Sequence, residues 1–301
     1  MAGINTQITA LDYNTLRNKI IEVIGTGAGS YGYGQSVKSQ SVLQGQTVLK
    51  SQWDGLRYDI VNIKVHQNGV FPTIVEAGTV TGGVVRYSAA DAYVNYNTLI
   101  DAARQNRFTL ATGQYILSSK GSETYTSSWS TNASMTVTVD FATSEQARFF
   151  FNSGGKVRLS STRTGGTSSQ QNNAWTNLLS TVGEQDFGAS TTQDVHYFTL
   201  TNNYQTYYQE TATTPYSANA FRLEAKCDVA NNATGTAKQV TIRVTWDDSY
   251  QDEGPPAPGD LVDGTLTLYV QEILASGYLQ PTGTFTVAPP TSYSLSSITA
   301  T

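Results

Sequence analysis

The chain changes its hydrophobic period partway along, and that change limits the folds open to it more than any other feature. Over the first ~110 residues the apolar positions step by three and four. Leu16, Ile20, Val23 and Ile24 follow Asp12, which can cap a helix that Gly25 ends. Leu49, Trp53, Leu56, Ile60 and Ile63 share one face of a second helix over about Gln46 to Gln67, and Tyr93, Tyr96, Leu99 and Ala103 mark a third over about Ser88 to Arg104. From about Thr124 the period becomes two. Met135, Val137, Val139 and Phe141 alternate with polar residues, as do Phe221, Leu223, Ala225, Cys227 and Val229, then Val240, Ile242, Val244 and Trp246, then Leu266, Leu268 and Val270. Such alternation marks strands with one buried and one wet face, as in antiparallel sheets.

The expected fold is therefore α+β. A helical N-terminal region, 1–117, is expected to dock or oligomerise. A mainly antiparallel, sandwich-like β domain, 118–275, follows, and an extended tail, 276–301, closes the chain, either flexible or laid on a neighbouring subunit. Two short helices interrupt the β region. Thr143, with Gln146 three residues on, makes a capping-box pattern before Phe149, Phe150 and Phe151, and Gly154 or Gly155 supplies the stop. A second helix begins near Ser168 or Ser169 and places Trp175, Leu178, Leu179 and Val182 on one face before Gly183. Tyr13-Asn14-Thr15-Leu16 recurs as Tyr96-Asn97-Thr98-Leu99, too short an echo to establish a repeat.

Composition narrows the function classes. Charged residues make up 14% of the 301, below the usual quarter, yet 18 Tyr, 10 Phe and 4 Trp supply ample area for a core. Net charge is −5 and no run of Lys or Arg occurs, so the electrostatic footprint of a nucleic-acid binder is missing. A single cysteine, Cys227, rules out an intrachain disulfide framework, and its phase places it inward on a strand. No basic stretch precedes an apolar one at the N-terminus and no apolar run spans a bilayer, so neither a secretory signal nor membrane insertion is expected. The sequons at Asn132 and Asn232 carry little meaning in that setting.

Motifs for chemistry are sparse. Gly27, Gly29 and Gly32 satisfy G-x-G-x-x-G formally, but they follow a helix rather than a strand, and Gln35 stands where a P-loop needs lysine. The stretch reads as a flexible connection. His66 is expected at a helix C-terminus, where a cation is favoured, and His196 in a strand-like run, Val195 to Leu200. The acidic, proline-rich stretch Asp247 to Gly264 reads as a solvated hairpin loop. Its Asp247, Asp248, Asp252, Glu253, Asp260 and Asp263 could alternatively hold calcium or act as a glycosidase pair. Tyr197, Tyr204, Tyr207, Tyr208 and Tyr216 form the one candidate binding surface, suited to subunit packing or to stacking on sugars. No cofactor and no catalytic set is expected.

The run Phe149-Phe150-Phe151-Asn152-Ser153-Gly154-Gly155 with Lys156-Val157-Arg158-Leu159 resembles virion structural proteins of tailed bacteriophages, most nearly those of contractile-tailed phages of marine cyanobacteria. Ile8 to Arg17, ITALDYNTLR, and Trp175-Thr176-Asn177-Leu178-Leu179 are similar to the same proteins. The resemblance implies a non-enzymatic virion component associated with tail, neck or fibre attachment. It would form a homo-oligomer and dock to other virion proteins, with recognition of host-surface glycan as the alternative.

Overall fold

The computed structural model describes residues 8–74, 92–250, 261–278 and 283–300. The chain forms two compact units. One comprises Met1–Ile116, Arg148–Gly155 and Leu274–Ala288, and the other Leu117–Ala147, Lys156–Ile273 and Pro289–Thr301. The architecture is α+β, with helices mostly N-terminal and two antiparallel sheets after them.

The first unit is built on α1 (Ala10–Ile24), α2 (Lys50–Asn68) and α3 (Ala92–Gln105). Thr9, not Asp12, caps α1. Asp12 sits three residues in, and its carboxylate returns a bond to the Thr9 amide, completing the capping box. Gly25 ends the helix as expected. The second helix starts later than its periodicity suggests, because Leu49 is the N-cap and half exposed rather than part of the buried face. On α3 the buried positions are Tyr96, Ile100 and Ala103.

All three helices run the same way. Near their N-terminal ends Trp53 stacks on Tyr96 at 5.0 Å and meets Tyr13 at 6.4 Å. Towards their C-terminal ends Lys19 pairs with Asp101, Arg104 with Glu22, and the Gln67 amide donates to the Ala103 carbonyl. The echoed tetrapeptides thus place Tyr13 and Tyr96 against the same indole. Parallel neighbours need a return path. After α1 the chain runs back beside it, so that Tyr33 bonds Val23, Ser39 accepts from Arg17, and Val42 exchanges bonds with Asn14. Buried Asp59 on α2 fixes this return by accepting from the Lys38 and Ser39 amides at 2.8 and 2.9 Å.

The second unit is a sandwich of β1 (Tyr115–Tyr125), β2 (Asn132–Asp140), β3 (Lys156–Thr164), β4 (Glu184–Phe187), β5 (Gln205–Thr211), β6 (Ala220–Cys227), β7 (Gln239–Asp247), β8 (Thr265–Tyr278), β10 (Ser292–Leu295) and β11 (Thr299–Ala300). The strand β9 (Thr284–Thr286) pairs with the far end of β8, within the first unit. One sheet has the order β1-β8-β3-β4, the other β10-β2-β7-β6-β5, with β11 also on β2. Strict alternation holds in β2 and β7, and in β6 from Phe221 onward, and the inward Val137, Leu223, Ile242 and Trp246 are fully buried. Each such side chain contributes about 1.5–3 kcal/mol. Across the sandwich Trp246 Nε1 donates to Ser161 Oγ at 3.0 Å, Tyr293 to Glu272 at 2.9 Å, and Phe187 meets Tyr207 edge-on.

The two inserted helices are α4 (Ser144–Asn152) and α5 (Gln170–Val182). Ser169 caps α5 and Gly183 ends it. The helix touches β3 of one sheet and β5 and β6 of the other. Three expectations need correction. The Asp247–Gly264 stretch is not a hairpin, because β7 and β8 belong to different sheets. His196 is not in a strand; it caps a single 3-10 turn, Tyr197–Thr199. Of the two alternatives for the C-terminal stretch, a flexible tail does not hold for its described residues, 283–300, which form three short strands.

Candidate functional site

The Phe-Phe-Phe-Asn-Ser-Gly-Gly run is where two stretches that look independent in sequence meet. Thr143 Oγ1 accepts from the Gln146 amide at 3.1 Å, starting α4 as expected. Phe150 and Phe151 are fully buried and cross edge-to-face at 5.0 Å. Phe149 is only half-buried. It packs on Gly34, where a Cβ would come within 2.5 Å of its ring. The stop is Gly154, at φ +85°, where any side chain would also meet Leu110 Cβ at 2.6 Å. At Gly155 a Cβ would sit 2.6 Å from the Phe150 carbonyl oxygen.

The end of α4 holds the glycine-rich stretch. Asn152, wholly buried, directs its amide N–H groups to the carbonyls of Gly29, Tyr31 and Gly32, and Arg148 donates to Tyr31 O at 2.7 Å. The stretch also bonds back to α1 through Tyr33 N–Val23 O, Gly34 N–Gly25 O and Gln35 N–Ile24 O. It is a fixed loop with its carbonyls turned towards side-chain donors, the reverse of a phosphate cradle. The expected flexible connection is therefore ordered by partners more than a hundred residues away.

His66 lies beside this loop. It is buried, stacks on Phe285 at 4.1 Å and meets Tyr33 at 4.9 Å. Its Nε2 is 2.8 Å from the Ser153 carbonyl oxygen, which fixes that nitrogen as the donor, while Nδ1 is buried without a partner. Burial lowers its pKa to about 4, with the Ser153 bond acting in the opposite direction. The expected cation at a helix C-terminus is instead a neutral core ring.

In the second unit Trp175 is buried, donates Nε1 to Asp248 at 2.8 Å and meets Trp129 edge-on. Gln171 bonds the same buried carboxylate. Asp263 accepts from Thr167, Asn172 and Arg163, which holds its carboxyl below the usual range against the effect of burial. Asp247 pairs with Arg222. These carboxylates are thus spread over separate structural bonds; Asp252, Glu253 and Asp260 lie outside the described residues. Among the described residues no group of three or more His, Cys, Asp or Glu could hold a metal ion.

The tyrosines do not form one surface. Tyr197 is fully buried and donates to the Ala237 carbonyl at 2.7 Å. Tyr207 occupies the register shift in β5, with its ring against Phe187 and its hydroxyl buried, and burial pushes its pKa up. Tyr204 has the Arg243 and Lys226 cations over its ring at 4.2 and 4.6 Å. Tyr208 follows along β5, and Tyr216 meets Tyr250 at 4.6 Å. Cys227 is buried on the inner face of β6 as expected, with Sγ near Val229 O and burial raising its pKa.

Two features were not read from the sequence. Near the N-terminal ends of the three helices Leu11, Leu43, Leu49 and Val94 are each half or more exposed, Leu11 at 76%. Leu11 and Val94 fall off their helices' buried stripes, a signal that was available. On the second unit a shallow recess of about 310 Å³ is walled by Ser134, Thr136, Ser296, Ser297 and Thr299, with Arg243 at its side. No helix among the described residues is long and apolar enough to cross a membrane. In comparisons with known proteins, no family, no curated protein and no solved structure matches this chain.

Proposed function

We propose that the chain is a non-enzymatic structural subunit of a tailed-phage particle, associated with tail, neck or fibre attachment, that works by symmetric self-assembly and docking to other virion proteins. The phage assignment rests on the resemblance of the Phe149 to Leu159 run and its companions. The assembly role rests on one observation, the exposed leucines and valine at one end of the helical unit. Exposed apolar side chains that join into one patch mark interaction sites, and these four lie near the N-terminal ends of helices that pack side by side. Among the described residues, polar side chains singled out in the sequence support the same reading, since they serve the fold: His66 donates to a backbone carbonyl, His196 caps a turn, and Asp248 and Asp263 tie α5 down.

The test is Leu11→Asp with Leu43→Asp, compared with the unaltered chain by light scattering and by incorporation into particles. Both positions are exposed, so folding should change little, within about 0.5 kcal/mol. Loss of assembly by a folded variant is the expected outcome. Assembly equal to that of the unaltered chain would overturn this surface assignment.

A second reading, recognition of host-surface glycan, is favoured by the hydroxyl-walled recess near Arg243 rather than by the dispersed tyrosines. Thr136→Val with Ser296→Ala should abolish any glycan-array signal while the sandwich stays folded. An array without signal for the unaltered chain sinks this reading.

A further inference from the structure

Resting on the self-assembly reading, we propose that residues 289–300 are exchanged between copies, each chain's β10 and β11 completing the β2 edge of a second copy. The acceptor is β2. Its nine residues alternate without a break, Ala133, Met135, Val137 and Val139 being buried, and one edge pairs with β7 along its whole length. The other edge takes Ser292 to Leu295 opposite Asp140 to Val137, then Thr299 and Ala300 opposite Ser134 and Ala133. Thr291 N–Asp140 O at 2.7 Å and Ser296 N–Thr136 O at 3.0 Å extend the ladder.

Among the described residues the other sheet edges carry devices that discourage pairing. In β1, Gly121 takes φ +132° and Lys120 reaches Glu272. β4 has four residues, and β5 shifts register between Thr206 and Tyr208. Kinks, inward charges, short strands and bulges all blunt an edge. The β2 edge is long and regular, so it needs a covering strand.

The donor is not tied to that edge by any hairpin. β10 is about 150 residues from β2 in sequence, and the stretch before it, Leu274–Ala288, belongs to the other unit. Pro289 and Pro290 fix φ and disfavour a helical entry, so the strand arrives extended. Closing a loop this long costs little more than meeting a neighbour held at high effective concentration. A strand that makes the same bonds in either copy can then link a symmetric assembly.

Register is set by one side chain. Tyr293 donates to Glu272 Oε2 at 2.9 Å, and Lys120 Nζ lies 3.0 Å from Oε1 and 5.5 Å above the Tyr293 ring. Glu272 is buried, so a strand lacking the hydroxyl leaves part of its carboxylate unsatisfied.

Thr138 and Ser294 are register partners and neither is buried, so cysteines there can report the exchange. In a Cys227→Ala background, chains carrying Thr138→Cys are co-expressed with chains carrying Ser294→Cys and oxidised. A covalent dimer on a non-reducing gel, collapsing on reduction, is expected. The double variant in one chain should likewise give linked dimers or larger species; Ser134→Cys with Thr299→Cys replaces it if it folds poorly. If light scattering shows an oligomer while the double variant links only within chains, exchange is overturned and self-assembly stands. A monomer linked only within chains overturns both.

Discussion

Acid should weaken the helical unit through His66, by an amount that follows from where the ring sits. The folded pKa is depressed from 6.5 to about 4 because the ring is buried. Between those values the unfolded chain takes up a proton that the folded chain does not. The stability of holding the ring neutral is therefore fully present above about pH 6.5 and is lost as pH falls towards about 4. The gap corresponds to about 3 kcal/mol. The structure explains the sign. Nε2 already donates to Ser153 O, so a new proton must go to Nδ1, which is buried with no acceptor between Phe285 and Tyr33. Tyr33 and Gln67 are the polar neighbours, and the Tyr33 hydroxyl is itself raised by burial. The assay is hydrogen exchange of α2 amides together with urea unfolding, from about pH 7 to about pH 4.5, in the unaltered chain and in His66→Phe. The variant keeps a stacking ring, loses one hydrogen bond at a cost of about 1 kcal/mol at neutral pH, and has nothing to titrate there. Its deficit should shrink and then reverse as pH falls, while carboxylates elsewhere cancel in the comparison. A separation that stays constant across the range would refute the buried neutral assignment.

Three further outcomes follow from named contacts. Phe150→Ala should lower stability by about 3–5 kcal/mol in urea unfolding, since the ring is wholly buried against Phe151; an unchanged midpoint would mean the ring is not in the core. Asn152→Ala removes the donor to Gly29, Tyr31 and Gly32, so amides of residues 27–34 should exchange faster and proteases should cut there. Lys120→Met should cost about 3–5 kcal/mol by leaving buried Glu272 without its cation, whereas Tyr293→Phe should cost only about 1–2. Equal losses for the two would show that the Lys120 pair is not the main contact holding Glu272 in place.

Much of the architecture was legible because helices and strands are set by residues close in sequence. Ser169, Trp175 and Gly183 place α5 almost to the residue, and Val240 to Trp246 give both the span and the inward face of β7. The errors fall where a local pattern has two readings. Leu49 continues the spacing of α2, yet its backbone turns there as the N-cap, and spacing cannot distinguish the two. The alternation around His196 is real, but its side chain and Thr199 close a 3-10 turn instead of joining a ladder.

The sequence by itself determined the division into a helical part and an antiparallel part, the stops at Gly25, at Gly154 or Gly155 and at Gly183, and the inward phase of Cys227, all of which depend on short-range sterics and periodicity. Tertiary structure alone decided which tyrosines are core, that His66 is neutral, that Asn152 fixes a glycine loop, and that the C-terminal strands lie on β2. Those outcomes depend on desolvation and on bonds between residues far apart in the chain, 160 positions for Thr136 with Ser296. A residue's own neighbours in sequence carry no record of such partners.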